Sequence, residues 1–121
     1  MFVVHTPASP EQDVRYTEAL ALHQSGKPEE ALPLYENLYQ RWPYHAHLLA
    51  SLGTCKMQLG DLSGGLNLLD QALAFSPDLS FALSNRASAL AAQGRLDEAL
   101  AAYSALPESP TNYSHRGAIL A

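Results

Sequence analysis

The sequence predicts an all-α protein made of stacked, antiparallel helix-turn-helix repeats, and three observations predict it. Glycine turns recur as Gly26-Lys27-Pro28, Gly60-Asp61-Leu62 and Gly94-Arg95-Leu96, each 34 residues after the one before. The same step carries Ala31 to Gly65 to Ala99, Leu32 to Leu66 to Leu100, Tyr35 to Leu69 to Tyr103, and Pro43 to Pro77. Between the turns, apolar residues fall mostly three and four apart, the spacing that gathers them on one side of a helix.

Each unit reads as a helix A, a tight turn and a helix B. Residues 1–10 form an extended lead-in holding Pro7 and Pro10, with an apolar start able to dock on the array or on a neighbouring chain. Helix A1 is expected near 11–25 and B1 near 28–41, followed by A2 near 45–59 and B2 near 62–75, then A3 near 79–93 and B3 near 96–106. The three hairpins therefore span about 12–44, 45–78 and 79–109 within 11–110. A glycine in the left-handed conformation ends each helix A, and proline after helix B stops it. The small residues Ala31, Gly65 and Ala99 let helix B approach its partner closely. Asp78 and the starts Lys27-Pro28-Glu29-Glu30 and Arg95-Leu96-Asp97-Glu98 supply capping groups and first-turn acid. Unit three closes early at Leu106-Pro107-Glu108-Ser109-Pro110, and residues 111–121 read as a final helix that either caps B3 or begins a fourth unit. The apolar finish Ile119-Leu120-Ala121 favours a piece of a longer array.

Composition narrows the chemistry. Seven Lys and Arg against twelve Asp and Glu give a net charge of −5, the wrong sign for gripping a phosphate backbone, so nucleic acid is not an expected partner. No apolar run reaches the roughly 18 residues a membrane helix needs, and the start lacks the features of a secretory signal, so a cytoplasmic protein is expected. Cys55 has no second thiol to pair with and reads as a small buried apolar residue. The five histidines fall in no zinc or HExxH pattern, and the close pair His45 and His47 is expected to point about 200° apart on a helix start, so no metal is expected. No glycine-rich phosphate cradle exists, and no cofactor or catalytic set is expected.

The residues that carry the period resemble the tetratricopeptide repeat. Leu52-Gly53, Gly60, Ala72 and Pro77 fall on signature positions of unit two, Ala31, Tyr35 and Pro43 of unit one, and Ala87, Ala99 and Tyr103 of unit three. Departures are Gly65 in place of the usual Ala, Glu18 where unit one normally carries Leu, and the lack of a Trp opening any helix A. The resemblance implies a right-handed superhelical stack whose concave wall, lined by the A helices, binds a protein or peptide segment. It places Asp13, Tyr16, Thr17, Leu20 and Gln24 of unit one on that wall, then His47, Ala50, Ser51, Thr54 and Gln58 of unit two, then Phe81, Ser84, Asn85 and Ser88 of unit three. Tyr16 and Phe81 are the expected anchors.

Two specialisations of the family can be read on the same positions. The Lys/Asn/Arg clamp that grips the carboxylate of heat-shock proteins is missing, because Tyr16, Leu20, Ser51, Phe81 and Asn85 stand in its place. The asparagine ladder of O-linked glycosyltransferase arrays is represented by Asn85 alone, with Thr17, Ser51 and His115 at other rungs. The expected function is a non-catalytic interaction scaffold holding a peptide in the groove. The alternatives are a substrate-presenting array of a larger bacterial glycosyltransferase-like protein, or a small secretion chaperone. An exposed apolar face on the terminal helix would also let copies self-associate.

Overall fold

The computed structural model describes residues 8–106. The expected final helix at 111–121, and residues 1–7 of the lead-in, lie outside the described residues. Within them the chain is helical, with no strand. A short 3-10 helix, Pro10–Gln12, leads into α1 (Val14–Gln24), α2 (Pro28–Arg41), α3 (Ala46–Gln58), α4 (Leu62–Phe75), α5 (Ser80–Ala92) and α6 (Leu96–Ser104). Each helix packs against the next along the chain, and α3 also touches α5.

The turns that repeat in the sequence repeat in atomic detail. Gly26, Gly60 and Gly94 have φ of +79°, +96° and +79°. At each turn, the glycine N–H bonds back to the carbonyl three residues earlier, namely His23, Met57 and Ala91. The next residue's N–H reaches the carbonyl five earlier, so Lys27 binds Leu22, Asp61 binds Lys56 and Arg95 binds Leu90. This is the Schellman arrangement, which satisfies carbonyls that would otherwise end the helix unpaired. It needs a left-handed residue, which explains the fixed place of glycine.

Helix starts depart from the expected pattern. The N-cap of α1 is Asp13, whose extended backbone (φ −92°, ψ 127°) delays the α-helix to Val14, and its carboxylate accepts from the Arg15 N–H. Asp61 caps α4 through the Gly64 N–H. Asp78, expected as a cap, is not one: Leu79 takes the N-cap position of α5, with no side-chain cap bond. Lys27 and Arg95 also occupy N-cap positions without side-chain cap bonds, while the acids Glu29, Glu30, Asp97 and Glu98 sit in first turns beside the positive end of the helix dipole.

The main core lies between the first two hairpins, where Tyr35, Leu38, Leu48, Leu49 and Leu69 are fully enclosed. Each such leucine contributes about 2 kcal/mol of burial. Smaller clusters around Leu66 and Leu90, and around Ala87, Tyr103 and Leu106, join the third hairpin. Small residues recur at the 34-residue step in both helices of each hairpin, Ala19, Gly53 and Ala87 in the first and Ala31, Gly65 and Ala99 in the second, all buried, and Gly53 and Gly65 meet where α3 crosses α4. The central crossing is the tightest. A Cβ on Gly65 would sit 2.5 Å from the Gly53 carbonyl oxygen, and one on Gly53 would sit 2.8 Å from the Gly65 oxygen. Cys55 is buried as expected, and its thiol donates to the Pro28 carbonyl of the neighbouring hairpin at 3.1 Å. Burial, with Glu29 and Glu36 adding to it, pushes that thiol up to about 11.

Candidate functional site

Because helices alternate along the stack, α1, α3 and α5 come side by side and line one wall. Leu20, His23, Gln24, Ser51, Thr54, Phe81 and Asn85 surround an open cleft of about 230 Å³. A second cleft of about 430 Å³ is formed by Glu11, Tyr16, Leu20, His47, Ser51 and Phe81. The two share Leu20, Ser51 and Phe81 and form one groove across the three helices.

The floor of the groove is a chain of polar groups. Tyr16 and Tyr35 meet edge to face, with ring centroids 6.4 Å apart, and the Ser51 side chain stands near both hydroxyls. Burial pushes the acidity of both phenols to higher pH than usual. The Tyr35 hydroxyl lies 3.2 Å from His23 Nδ1, and His23 Nε2 is 2.7 Å from Gln58 Oε1. An amide oxygen only accepts, so Nε2 carries the proton and the Tyr35 hydroxyl donates to Nδ1. Enclosed polar groups cost free energy unless paired, and this chain pairs them across α1, α2 and α3. Farther along, Asn85 Nδ2 donates to Thr54 Oγ1 at 2.8 Å, and Thr54 donates to the Ala50 carbonyl at 2.9 Å. The Asn85 carbonyl oxygen has no partner among the described residues.

At the other end of the groove the 3-10 turn brings in Glu11. His45, the N-cap of α3, accepts the Leu48 N–H at Nδ1 (3.2 Å), so its proton sits on Nε2, 2.7 Å from Glu11 Oε1. Burial acts to raise the Glu11 pKa, but a backbone hydrogen bond, Ser9 and His45 outweigh it and hold the carboxyl below its ordinary value.

The expected positions divide. Leu20, Gln24, Ser51, Thr54, Phe81 and Asn85 converge on the smaller cleft, and Tyr16 and His47 on the larger. Tyr16 is only 6% exposed, so it is floor rather than the projecting anchor expected of it. Thr17 is exposed and Ser84 half-buried, and neither lines these clefts. Gln58 serves His23, and the Ser88 hydroxyl turns to the Tyr103 hydroxyl at 2.9 Å. Asp13 is a buried cap paired with Arg15 at 2.7 Å, not a groove residue. His23 and Glu11 complete the groove without having been singled out for it. His23 follows Leu20 by three residues and shares its helix face, a signal present in the sequence. Glu11 precedes α1 and carried none.

The expectation of opposed histidine rings is overturned. His45 and His47 have ring centroids 6.3 Å apart, because His45 is an extended cap (φ −85°, ψ 115°) to which helical spacing does not apply. His47 in turn lies over Phe81 at 5.4 Å. Among the described residues no three His, Cys, Asp or Glu side chains gather as a metal site, and no helix is long and apolar enough to cross a membrane.

Residues 22–83 match one family model and residues 56–113 another, both described as tetratricopeptide repeat. Protein FlbA of Caulobacter vibrioides is 34% identical over 92 residues, which make up 76% of this chain. The chain spans 15% of the length of that relative. Among solved structures, the second tetratricopeptide domain of human RPAP3 in complex with the HSP70 peptide SGPTIEEVD superposes with a TM-score of 0.77 at 18% identity, covering 88% of this chain and 92% of that one. The Yersinia enterocolitica type III secretion chaperone SycD, in complex with a peptide of the translocator YopD, gives 0.77 at 20% identity, covering 93% and 95%.

Proposed function

The chain belongs to the tetratricopeptide repeat family, and from that premise we propose that it is a protein-interaction scaffold that holds an extended segment of a partner across α1, α3 and α5. The observation that carries this reading is the groove itself. It has apolar lining at Leu20 and Phe81, with amide and hydroxyl groups of Gln24, Thr54 and Asn85 along it, and it runs through all three hairpins. Apolar pockets take side chains, and a side-chain amide with an open oxygen can accept from a peptide backbone N–H. RPAP3 and SycD hold peptides on the same fold, which supports the mode of binding and says nothing of the partner.

The test is selection of short linear peptides displayed on phage against the wild-type chain, with each enriched peptide re-measured on Phe81→Ala and Asn85→Ala. Loss of about tenfold in affinity on each variant, with circular dichroism unchanged, is the expected result. Peptides held equally by all three proteins would remove the groove as the site. The FlbA match, confined to 15% of that protein, favours a second reading in which the array presents a partner to other domains of a larger polypeptide. A reading frame that runs from these repeats into an α/β nucleotide-sugar domain would establish the glycosyltransferase form of it, and one that stops without such a domain would exclude it.

A further inference from the structure

The groove is unusual in how its charge is distributed. Of the seven Lys and Arg, six lie among the described residues and none lines it. Arg15 pairs with Asp13 at 2.7 Å and Lys27 faces Glu30 at 3.9 Å. Arg41 lies over the Trp42 ring, and Lys56 lines a cleft between α2, α3 and α4. Arg86 pairs with Asp70 at 2.7 Å, and Arg95 with Glu98. Among the described residues the one carboxylate lining the groove is Glu11, at the larger cleft.

Glu11 is 53% exposed at its side chain, and His45, whose other ring nitrogen accepts the Leu48 N–H, donates to it from Nε2. Among the described residues no Lys or Arg lines the cleft beside it. A carboxylate has about four acceptor positions, so the bonds to His45 and Ser9 leave room for more. Around the same cleft stand the rings of Tyr16, His47 and Phe81. Aromatic walls with one carboxylate form an environment that favours a desolvated organic cation, by ring quadrupole and by charge together.

We propose that the cleft of Glu11, Tyr16, His47 and Phe81 is a subsite for a cationic side chain, an arginine, of the bound segment. The proposal rests on the groove-binding reading for its biological ligand, while its chemistry can be tested alone. A guanidinium suits the cleft better than an ammonium, because it is planar, can lie against a ring and can present two donors to Glu11. The net charge of −5 favours approach of a basic segment. The acidic peptide carried by the RPAP3 domain would meet no Lys or Arg among the described residues that line this groove.

The probe is N-acetyl-arginine amide, with the uncharged isostere N-acetyl-citrulline amide beside it. Binding is read from the ring C–H shifts of His47 and Phe81 by NMR, in wild type and in Glu11→Gln, which keeps an acceptor for His45. Arginine should saturate these shifts in the millimolar range and bind about fivefold to tenfold more tightly than citrulline, with the preference lost in Glu11→Gln. Equal binding of the two probes, absence of shifts with either, or a preference that survives Glu11→Gln overturns the subsite. Selected peptides that still lose affinity on Asn85→Ala would then show that the groove stands without it. Conversely, an arginine response at His47 with peptides indifferent to Asn85→Ala keeps the subsite and removes the groove reading.

Discussion

Replacing Gly65 by alanine sets two effects of known size against each other. In a helix interior, alanine is favoured over glycine by about 1 kcal/mol, so propensity alone makes the variant more stable. Against this, the new Cβ would lie 2.5 Å from the Gly53 carbonyl oxygen, 2.4 Å from Met57 Cγ and 3.1 Å from the Met57 nitrogen. The methionine chain can swing aside, but the carbonyl can retreat only with its helix. Restoring a contact of 3.4 Å separates α3 and α4 by about 0.9 Å at the crossing. A gap of that size forfeits about a quarter to a half of each dispersion contact it opens. Overpacking of this kind costs about 2 to 3 kcal/mol, so the net effect is a loss of about 1 to 2 kcal/mol.

Urea and thermal unfolding followed by circular dichroism measure this directly. The midpoint should fall by about 4 to 8 °C for each kcal/mol in a chain of this size. Gly53→Ala should act in the same direction. The double variant should lose less than the sum, because helices already separated by one methyl admit the other. Ala99→Gly, at the matching position of the third hairpin, should lose about 1 to 2 kcal/mol, since glycine there brings the propensity cost and removes a buried methyl. A Gly65→Ala protein that melts at or above wild type would refute the claim that close backbone approach fixes this residue.

At Gly60 a Cβ meets nothing within 4 Å, so Gly60→Ala tests the left-handed backbone alone, and a loss of about 1 kcal/mol in urea unfolding is expected. Asp13→Ala should cost about 1 kcal/mol at neutral pH through loss of the α1 cap. The Arg15 hydrogen bond holds the Asp13 carboxyl below its usual value, so its contribution is complete above about pH 4 and is lost as pH falls through the folded pKa; a wild-type advantage that grows in acid would contradict this. Cys55, with its thiol pushed up to about 11 and no access to solvent, should resist iodoacetamide at pH near 8 until urea opens the fold, as mass spectrometry would show; equal labelling of folded and unfolded chain would disprove it. Thr54→Val removes the acceptor for Asn85, so it should lower the melting point much as Asn85→Ala does, and an unchanged melting point in thermal unfolding would show that this bond does not tie the hairpins.

The backbone was more legible than the side chains, and for a physical reason. Gly26, Gly60 and Gly94 are required by a left-handed turn that no other residue type adopts cheaply, so the period survives in the sequence wherever the turn survives in the structure. Five helices have both ends within about two residues of the positions read from spacing alone. The exception is the first, whose start waits for the Asp13 cap. Leu20, Gln24, Ser51, Thr54, Phe81 and Asn85, which the family resemblance assigned to the concave wall, all line the smaller cleft. Spacing fails where a side chain answers to a neighbour outside its own helix. Tyr16 is drawn into the floor by Tyr35 and Ser51, Ser88 is turned to Tyr103, and His45 is set beside His47 by a cap geometry that helical angles do not describe.

That division bears on what kind of site this groove is. Its relation to the stack is rigid on one side and adjustable on the other. Between the first two hairpins, the floor carries Tyr16, Ser51 and Tyr35, all buried, and the hydrogen bonds from Tyr35 to His23 and from His23 to Gln58. Between the second and third, the polar ties are the Asn85 to Thr54 bond and the Arg86 to Asp70 pair at 2.7 Å, the latter on the exposed side. An exposed ion pair of this sort contributes little, about 0 to 1 kcal/mol. Asn85 is therefore both a joint between hairpins and a wall of the cleft. A ligand that engages its open carbonyl oxygen acts on the joint at which the third hairpin meets the rest, whereas one seated at Glu11 rests on the part of the array whose geometry is already fixed.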